Sequence, residues 1–246
     1  MNALRLLRFC VTVVATLTPL AAGAGTRFDF ATEVTGYSYS GHMAIDGARS
    51  RVDITEGTHP LFNAGFSIIT RGGGKEIVVI DHKQKTYFVR QMANFGGHLA
   101  TARGLGRTTA SRPRVQRTKP DDSTYVVHAE YDLQMDVEGE KFGGTVTLDA
   151  RFEVDPHIEQ RALPWGLQFA AKTGFEDIDR ALASRIPDRL PLRQVVTVSR
   201  RIADGQLVTE SITTTVTNVR KEPLTDDDFL APEGYRYKEP VFSFGN

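Results

Sequence analysis

The stretch "SIITRGGGKEIVVIDHKQKTYFV", residues 67–89, decides which fold the sequence predicts. Three glycines followed by Lys75 could cradle a phosphate, or could form a tight turn between two strands. A phosphate-binding loop needs a serine or threonine after the lysine and then a helix. Here Glu76 follows, and "EIVVID" has the composition of a strand. The glycines therefore predict a hairpin turn, and the polar residues 81–85 predict a second turn before another strand.

Period-two alternation of apolar residues continues through most of the chain, and it predicts strands. Leu133, Met135 and Val137 alternate with polar residues, and the same pattern resumes from residue 146 to residue 154. The dipeptides at 46–47 and 204–205 are both Asp-Gly, which favours tight turns. The sequence therefore predicts a mainly antiparallel sheet.

Two regions break this alternation. Residues 96–122 combine glycine, proline and arginine without clear periodicity, which predicts a long, flexible, basic insertion. Its cations could contact an anion or a lipid headgroup, although a solvated loop is the favoured interpretation. The basic side chains of this segment are Arg103, Arg107, Arg112, Arg114, Arg117 and Lys119.

The second region, residues 156–191, predicts one or two helices. Apolar residues recur at helical spacing from Phe175 to Ile186, with Glu176 and Asp177 in the first turn. A shorter helical piece is predicted over residues 165–172. These helices need an apolar partner, and the concave face of the sheet is the surface that can provide it.

The N-terminal residues predict export. Arg5 and Arg8 precede an apolar run over residues 9–22, and a small-residue pattern at residues 22–24 predicts signal-peptide cleavage after Ala24. The apolar run is shorter than the roughly 20 residues that span a bilayer. We therefore expect a signal peptide over residues 1–24 and one domain over residues 25–246, located in the periplasm, without a membrane span in the mature chain.

Composition narrows the classes of function. The chain has 30 basic and 30 acidic residues, so no overall basic excess favours nucleic acid as a partner. Its only cysteine, Cys10, lies in the predicted signal peptide. We therefore expect no disulfide, thiol nucleophile or thiolate metal site in the mature chain.

Motifs for catalysis and metal binding are absent from the sequence. No two of the six histidines are three to five residues apart, and neither GxSxG nor SxxK occurs. Asp226, Asp227 and Asp228 could bind a cation, but they are better interpreted as the capped start of a turn or helix. We predict no enzyme, metal or cofactor, while a hydrolase whose site assembles only in space stays an alternative.

Three segments, taken in order, carry a resemblance to a known family. They are "GHMAIDGARSRVDITEG" (41–57), "SIITRGGGKEIVVIDHKQKTYFV" (67–89) and "DDDFLAPEGYRY" (226–237). Together they resemble the LolA-like superfamily of bacterial envelope proteins, and the chain is most similar to its uncharacterised domains related to outer-membrane lipoprotein sorting. The resemblance implies a mainly β (α+β) fold, a curved antiparallel half-barrel with one or two helices over the concave face. It also implies an interior that holds acyl chains.

We therefore predict non-catalytic binding of a lipid, an acyl chain or another apolar small molecule. The aromatic residues that suit a cavity wall suit an ordinary core equally well. An envelope sensor or interaction module that acts through an envelope protein is the alternative. The predicted cavity residues are Tyr37, Tyr39, Ile54, Ile69, Phe88, Met135, Leu148, Trp165, Phe169, Phe175 and Ile178.

Overall fold

The computed structural model describes residues 24–47, 49–58, 64–91, 107–137, 139–155, 175–185, 189–201 and 206–239. Twelve strands and one α-helix lie in these ranges. The strands are β1 (Ala24–Val34), β2 (Tyr37–Asp46), β3 (Arg49–Gly57), β4 (Phe66–Arg71), β5 (Glu76–Asp81), β6 (Thr86–Gln91), β7 (Arg107–Thr118), β8 (Thr124–Val137), β9 (Glu140–Val154), β10 (Pro191–Arg201), β11 (Leu207–Pro223) and β12 (Arg236–Tyr237). Helix α1 spans Glu176–Ala183.

All twelve strands belong to one open, curved sheet with the order β12-β6-β5-β4-β3-β2-β1-β11-β10-β9-β8-β7. Neighbouring strands are antiparallel, except that the short β12 pairs with β6 in parallel. Two meanders, β1–β6 and β7–β11, meet where β1 pairs with β11. The predicted fold class, a mainly β half-barrel, is confirmed.

The glycine turn has the predicted role. Gly72–Gly74 form a short 3₁₀ turn between β4 and β5, and Gly72 and Gly73 have φ angles of 59° and 68°. Residues that carry a side chain rarely adopt this left-handed backbone conformation, so glycine is required at these positions. At the next turn, Asp81 Oδ1 accepts hydrogen bonds from the backbone N–H groups of Lys83 and Gln84. Both hairpins predicted from residues 67–89 are confirmed.

The prediction of an unstructured insertion is wrong for residues 107–118. These residues form β7, the edge strand that pairs with β8. A register shift between Ser111 and Arg114, where Pro113 lies, interrupts the alternation that would otherwise indicate a strand. Most of its side chains are exposed, so the strand needs few apolar residues. Residues 96–106 lie outside the described residues.

The sheet has an inner face and an outer face, and successive side chains of a strand point to opposite faces. The inner face carries Phe28, Met43, Val127, Leu148 and Val196, and helix α1 packs on it through Ile178 and Leu182. Adjacent strands carry these residues in register, because side chains alternate between faces along each strand. Helix α1 confirms the predicted helix after residue 175, and it packs on β7 and β8. The helical piece predicted over residues 165–172 lies outside the described residues.

The outer face differs between the two meanders. On β3–β6 it carries Ile69, Val78 and Ile80, which are buried beneath Leu224 and Phe229. These two residues belong to the C-terminal segment, residues 224–239. On β8 and β9 the outer face carries mostly polar side chains instead, which are exposed or half-buried. The C-terminal segment thus gives the first meander a second core.

The start of the C-terminal segment is capped as predicted. Asp226–Phe229 form a 3₁₀ turn, and Thr225 and Asp228 form a capping box at its first residue. The Asp228 carboxylate accepts hydrogen bonds from the Thr225 backbone N–H at 2.7 Å and from the Arg27 guanidinium at 2.5 Å. The aspartate cluster is therefore accounted for by capping and ion pairing.

Candidate functional site

The inner face brings together most of the predicted cavity residues. Phe175 and Ile178 pack against the cluster that contains Leu148, whereas Ile54 and Phe88 pack in a cluster on β3–β6. Eight of the predicted residues lie on this face or pack against it: Tyr37, Tyr39, Ile54, Phe88, Met135, Leu148, Phe175 and Ile178. Their role as a ligand surface stays a prediction.

Three predicted residues do not join this set. Ile69 lies on the outer face and packs beneath Phe229. Its neighbour Ile68 lies on the inner face, and both are buried, so alternation alone could not assign either of them to a face. Trp165 and Phe169 lie outside the described residues.

Tyr39 joins two apolar clusters of the inner face. It packs against the Phe28 cluster and against the Ile54 cluster. Its ring meets Phe30 edge-on at 6.1 Å between centroids and stacks on Tyr37 at 6.5 Å. Burial raises the pKa of Tyr39 to about 12, and a hydrogen bond with Thr32 partly offsets that rise. The phenol is therefore neutral at physiological pH.

A row of polar side chains crosses the inner face between its apolar clusters. We call it the polar row, and it consists of Gln194 on β10, Thr214 on β11, Thr32 on β1 and Tyr39 on β2. Each member is the direct cross-strand partner of the next. The hydroxyl oxygens of Thr32 and Thr214 are 3.0 Å apart, and both residues are buried. The hydroxyls of the row therefore form hydrogen bonds with one another.

Gln194 stands at the end of the polar row without such a partner. Gln194 is only 2% exposed, and within the described ranges neither its amide nitrogen nor its amide oxygen has a hydrogen-bond partner. Phe152 lies opposite it on β9. A buried amide that forms no hydrogen bond costs about 1–3 kcal/mol of stability. In the part of the chain that is described, Gln194 is therefore the inner-face residue with the most buried polar side-chain atoms that lack a hydrogen-bond partner.

On the outer face, a chain of hydrogen bonds attaches the C-terminal segment to the first meander. Tyr235 Oη lies 3.0 Å from His82 Nδ1, and His82 Nε2 lies 2.6 Å from Ser67 Oγ. Ser67 in turn donates to Asp53, which also accepts two hydrogen bonds from Arg51. We call this chain, from Tyr235 to Asp53, the clasp.

The clasp contains a serine, a histidine and an aspartate, but their order differs from that of a catalytic triad. In a triad the carboxylate binds the imidazole, and the imidazole binds the hydroxyl. In the clasp Asp53 binds Ser67 directly, and the second nitrogen of His82 faces Tyr235. Ser67 is 1% exposed. This geometry suits attachment of the C-terminal segment and does not suit nucleophilic attack on a substrate.

The first residues of β7 and β9 and the last residues of β8 form a shallow cleft of about 310 Å³. Arg107, Asp136 and Lys141 line it together with part of Met135. Opposite charges mix along its wall, and it lies away from the polar row. Within the described ranges, no group of three or more histidine, cysteine, aspartate or glutamate residues could hold a metal ion.

No α-helix within the described residues combines the length and the apolar character that crossing a membrane requires.

The sequence contained a signal for Gln194 that the predictions did not use. Leu192, Gln194, Val196 and Val198 occupy alternate positions of one strand, so a single amide interrupts an apolar face. No comparable signal exists for the clasp, because His82 and Tyr235 are 153 residues apart.

The fold and its site define a half-barrel with an apolar inner face crossed by one polar row. No family model matches the chain, and none of the curated proteins matches it. Among solved structures, the chain is similar to the crystal structure of MucB in complex with MucA(peri), with 10% identity over 82% of this chain and 94% of that chain. The TM-score is 0.13, so this similarity carries no argument about function. The LolA-like resemblance stays a prediction.

Proposed function

We propose that this protein is a non-catalytic, periplasmic binding protein for a lipid, an acyl chain or another apolar ligand. The observation that supports this proposal is the extent of the apolar inner face. It continues from Val127 and Leu148 through Phe30 and Met43 to Val79 across the curved sheet. Helix α1 packs on the β7–β8 end of this face, and Leu190, which precedes β10, packs on the Phe28 cluster.

The energetics of such a site need no charged pocket. Transfer of an acyl chain from water to an apolar surface contributes about 0.8 kcal/mol per buried CH₂ group. An acyl chain of modest length therefore supplies enough free energy for binding through the burial of its CH₂ groups alone. The polar row then determines where along the face a polar group of the ligand can lie.

The alternative is a sensor or interaction module that acts through a protein partner, and the exposed edge of β7 would be its docking site. Pro113 has no N–H to donate, and Arg112 has a φ angle of 57° next to the register shift. These features interrupt the backbone groups that an added strand would pair with. Apolar-ligand binding is therefore the better supported function.

Two measurements test the proposal. Native mass spectrometry of protein purified from the periplasm of its own host should show a copurifying lipid. In addition, N-phenyl-1-naphthylamine should fluoresce on binding the protein, and added fatty amphiphiles should displace it. Absence of both a copurifying lipid and probe binding would overturn the proposal.

A pair of variants tests whether the inner face is the binding surface. Phe88→Ala removes a half-buried ring from that face, and we expect weaker probe binding. Leu207→Ala is the matched control, because Leu207 is 56% exposed on the outer face. Equal loss of probe binding in both variants would place the site elsewhere.

A further inference from the structure

We propose that Gln194 recognises an uncharged ligand head that presents a hydrogen-bond donor beside an acceptor, as a protonated carboxyl or a primary amide does. This inference rests on the proposed function and specifies the ligand class. Gln194 has both an acceptor, Oε1, and a donor, Nε2, and neither has a hydrogen-bond partner among the described residues. A carboxylic acid or a primary amide can satisfy both at once by forming two parallel hydrogen bonds.

The surroundings of Gln194 select an uncharged head. On β10, β11 and β1, the inner-face positions on either side of the polar row are apolar. They are Phe30, Val34, Leu192, Val196, Ile212 and Val216. An ionised carboxylate beside these residues would lose its hydration without gaining a cation, which is strongly unfavourable. A carboxyl group at this position therefore binds in its protonated form, because a low-dielectric environment raises its pKa.

The other members of the polar row do not compete for the ligand head. Thr32 and Thr214 are hydrogen-bonded to each other, and Tyr39 forms a hydrogen bond with Thr32. Gln194 is left at the β10 end of the row, between the apolar clusters of Leu148 and Phe28. An acyl chain attached to the head can extend over either cluster.

The test uses three ligands that share one chain: dodecanamide, dodecanoic acid and methyl dodecanoate. The ester has acceptors only, so it cannot donate to Oε1. For the unmodified protein we expect the primary amide to bind roughly tenfold more tightly than the ester, because the amide forms one hydrogen bond with Gln194 that the ester cannot form. Binding of the acid should weaken as the pH rises, whereas binding of the amide should not change.

Gln194→Met is the decisive variant, because methionine has a similar shape and no amide. We expect it to bind the amide and the ester with equal affinity. We also expect its unfolding midpoint in urea to be equal to or higher than that of the unmodified protein, since a buried amide without partners is removed. Gln116→Met is the matched control, because Gln116 is exposed on the outer face of β7, and it should keep the preference for the amide.

The outcomes separate this inference from the proposed function. If all three ligands bind equally in the unmodified protein, or if Gln194→Met keeps the preference for the amide, the role of Gln194 is overturned and apolar-ligand binding stands. If Gln194→Met unfolds more easily, Gln194 has a structural partner and the inference is overturned as well. If none of the three ligands binds to the unmodified protein although N-phenyl-1-naphthylamine does, the role of Gln194 is overturned and apolar-ligand binding stands. If the probe does not bind either and no lipid copurifies, both proposals fail.

Discussion

The two meanders of the sheet use their faces differently. In β5 the four consecutive residues from Ile77 to Ile80 are all buried, because the C-terminal segment covers the outer face while the inner face is buried as well. In β8 buried Val127 and Ala129 flank exposed His128. Among the described residues, the first meander thus has a core on each side, whereas the second has a core on its inner side only. Covering one face of a sheet with a terminal segment stabilises that half and leaves the other half dependent on one layer.

The largest expected effect tests the second core directly. Phe229→Ala removes a ring that is 1% exposed between the C-terminal segment and the first meander. We expect a loss of about 3–5 kcal/mol in the free energy of unfolding, measured by urea denaturation. Leu230→Ala is the adjacent control, and because Leu230 is 44% exposed it should cost less than about 0.5 kcal/mol. Similar costs for the two variants would contradict the existence of a second core.

The clasp should account for the next largest effect. Ser67→Ala removes the hydroxyl that connects His82 to Asp53, and leaves both without that buried partner. We expect a cost of about 1–3 kcal/mol in the free energy of unfolding. Ser199→Ala is the control in the second meander, where the hydroxyl lies 3.0 Å from that of Thr209 at an exposed site. An equal cost there would show that the clasp has no special role.

Acid should weaken the first meander through His82. Burial, followed by the positive charge of Arg51, lowers the pKa of His82 below its ordinary value of 6.5. The unfolded chain therefore binds a proton more readily than the folded chain does. The stabilising contribution is fully present above about pH 6.5 and is lost as the pH falls through the lowered folded pKa.

The measurement compares urea unfolding of the unmodified protein and of His82→Gln at about pH 7.5 and about pH 5.5. The unmodified protein should lose more stability on acidification than the variant does. Hydrogen exchange should then locate the loss in residues 224–239 and not in residues 124–154. Equal losses in both proteins would exclude His82 as the titrating group.

The smallest effect is expected at the surface of the second meander. Arg114 pairs with Glu130, and its side chain is 69% exposed. Arg114→Ala should therefore change the free energy of unfolding by no more than about 1 kcal/mol. Arg27, on β1 of the first meander, is 26% exposed and pairs with Asp228 of the C-terminal segment and with Glu222 on β11, so Arg27→Ala should cost more. Thermal unfolding of the two variants under the same conditions checks this order.

Most of the fold could be predicted because its strands show local alternation and its turns have specific chemistry. Gly72 and Gly73 indicate their turn through the φ angles that only glycine adopts easily. Strand β7 was missed, because an exposed edge strand with a proline at a register shift has almost no apolar period. Local patterns thus identify strands that bury one face regularly, and they fail at an edge.

The site was predictable in part, for a different reason. Alternation places Leu148 and Phe88 on apolar faces, but it cannot show that Ile68 and Ile69 serve two separate cores. That distinction depends on Phe229, which reaches the sheet from far along the chain. The polar row likewise depends on the register between distant strands, and no pattern within one strand contains that information.

The pairing of β1 with β11 has a consequence for the order in which the molecule folds. Thr32 and Thr214 are 182 residues apart in the chain, so their contact closes the largest loop of the polar row. Closing so long a loop costs entropy and delays such pairings relative to local hairpins. The two meanders can therefore form before they join, and the polar row exists only after the joining step. A ligand held across that row would bind only the state in which the two meanders are joined. Its binding would therefore stabilise that joined state relative to two separately folded meanders.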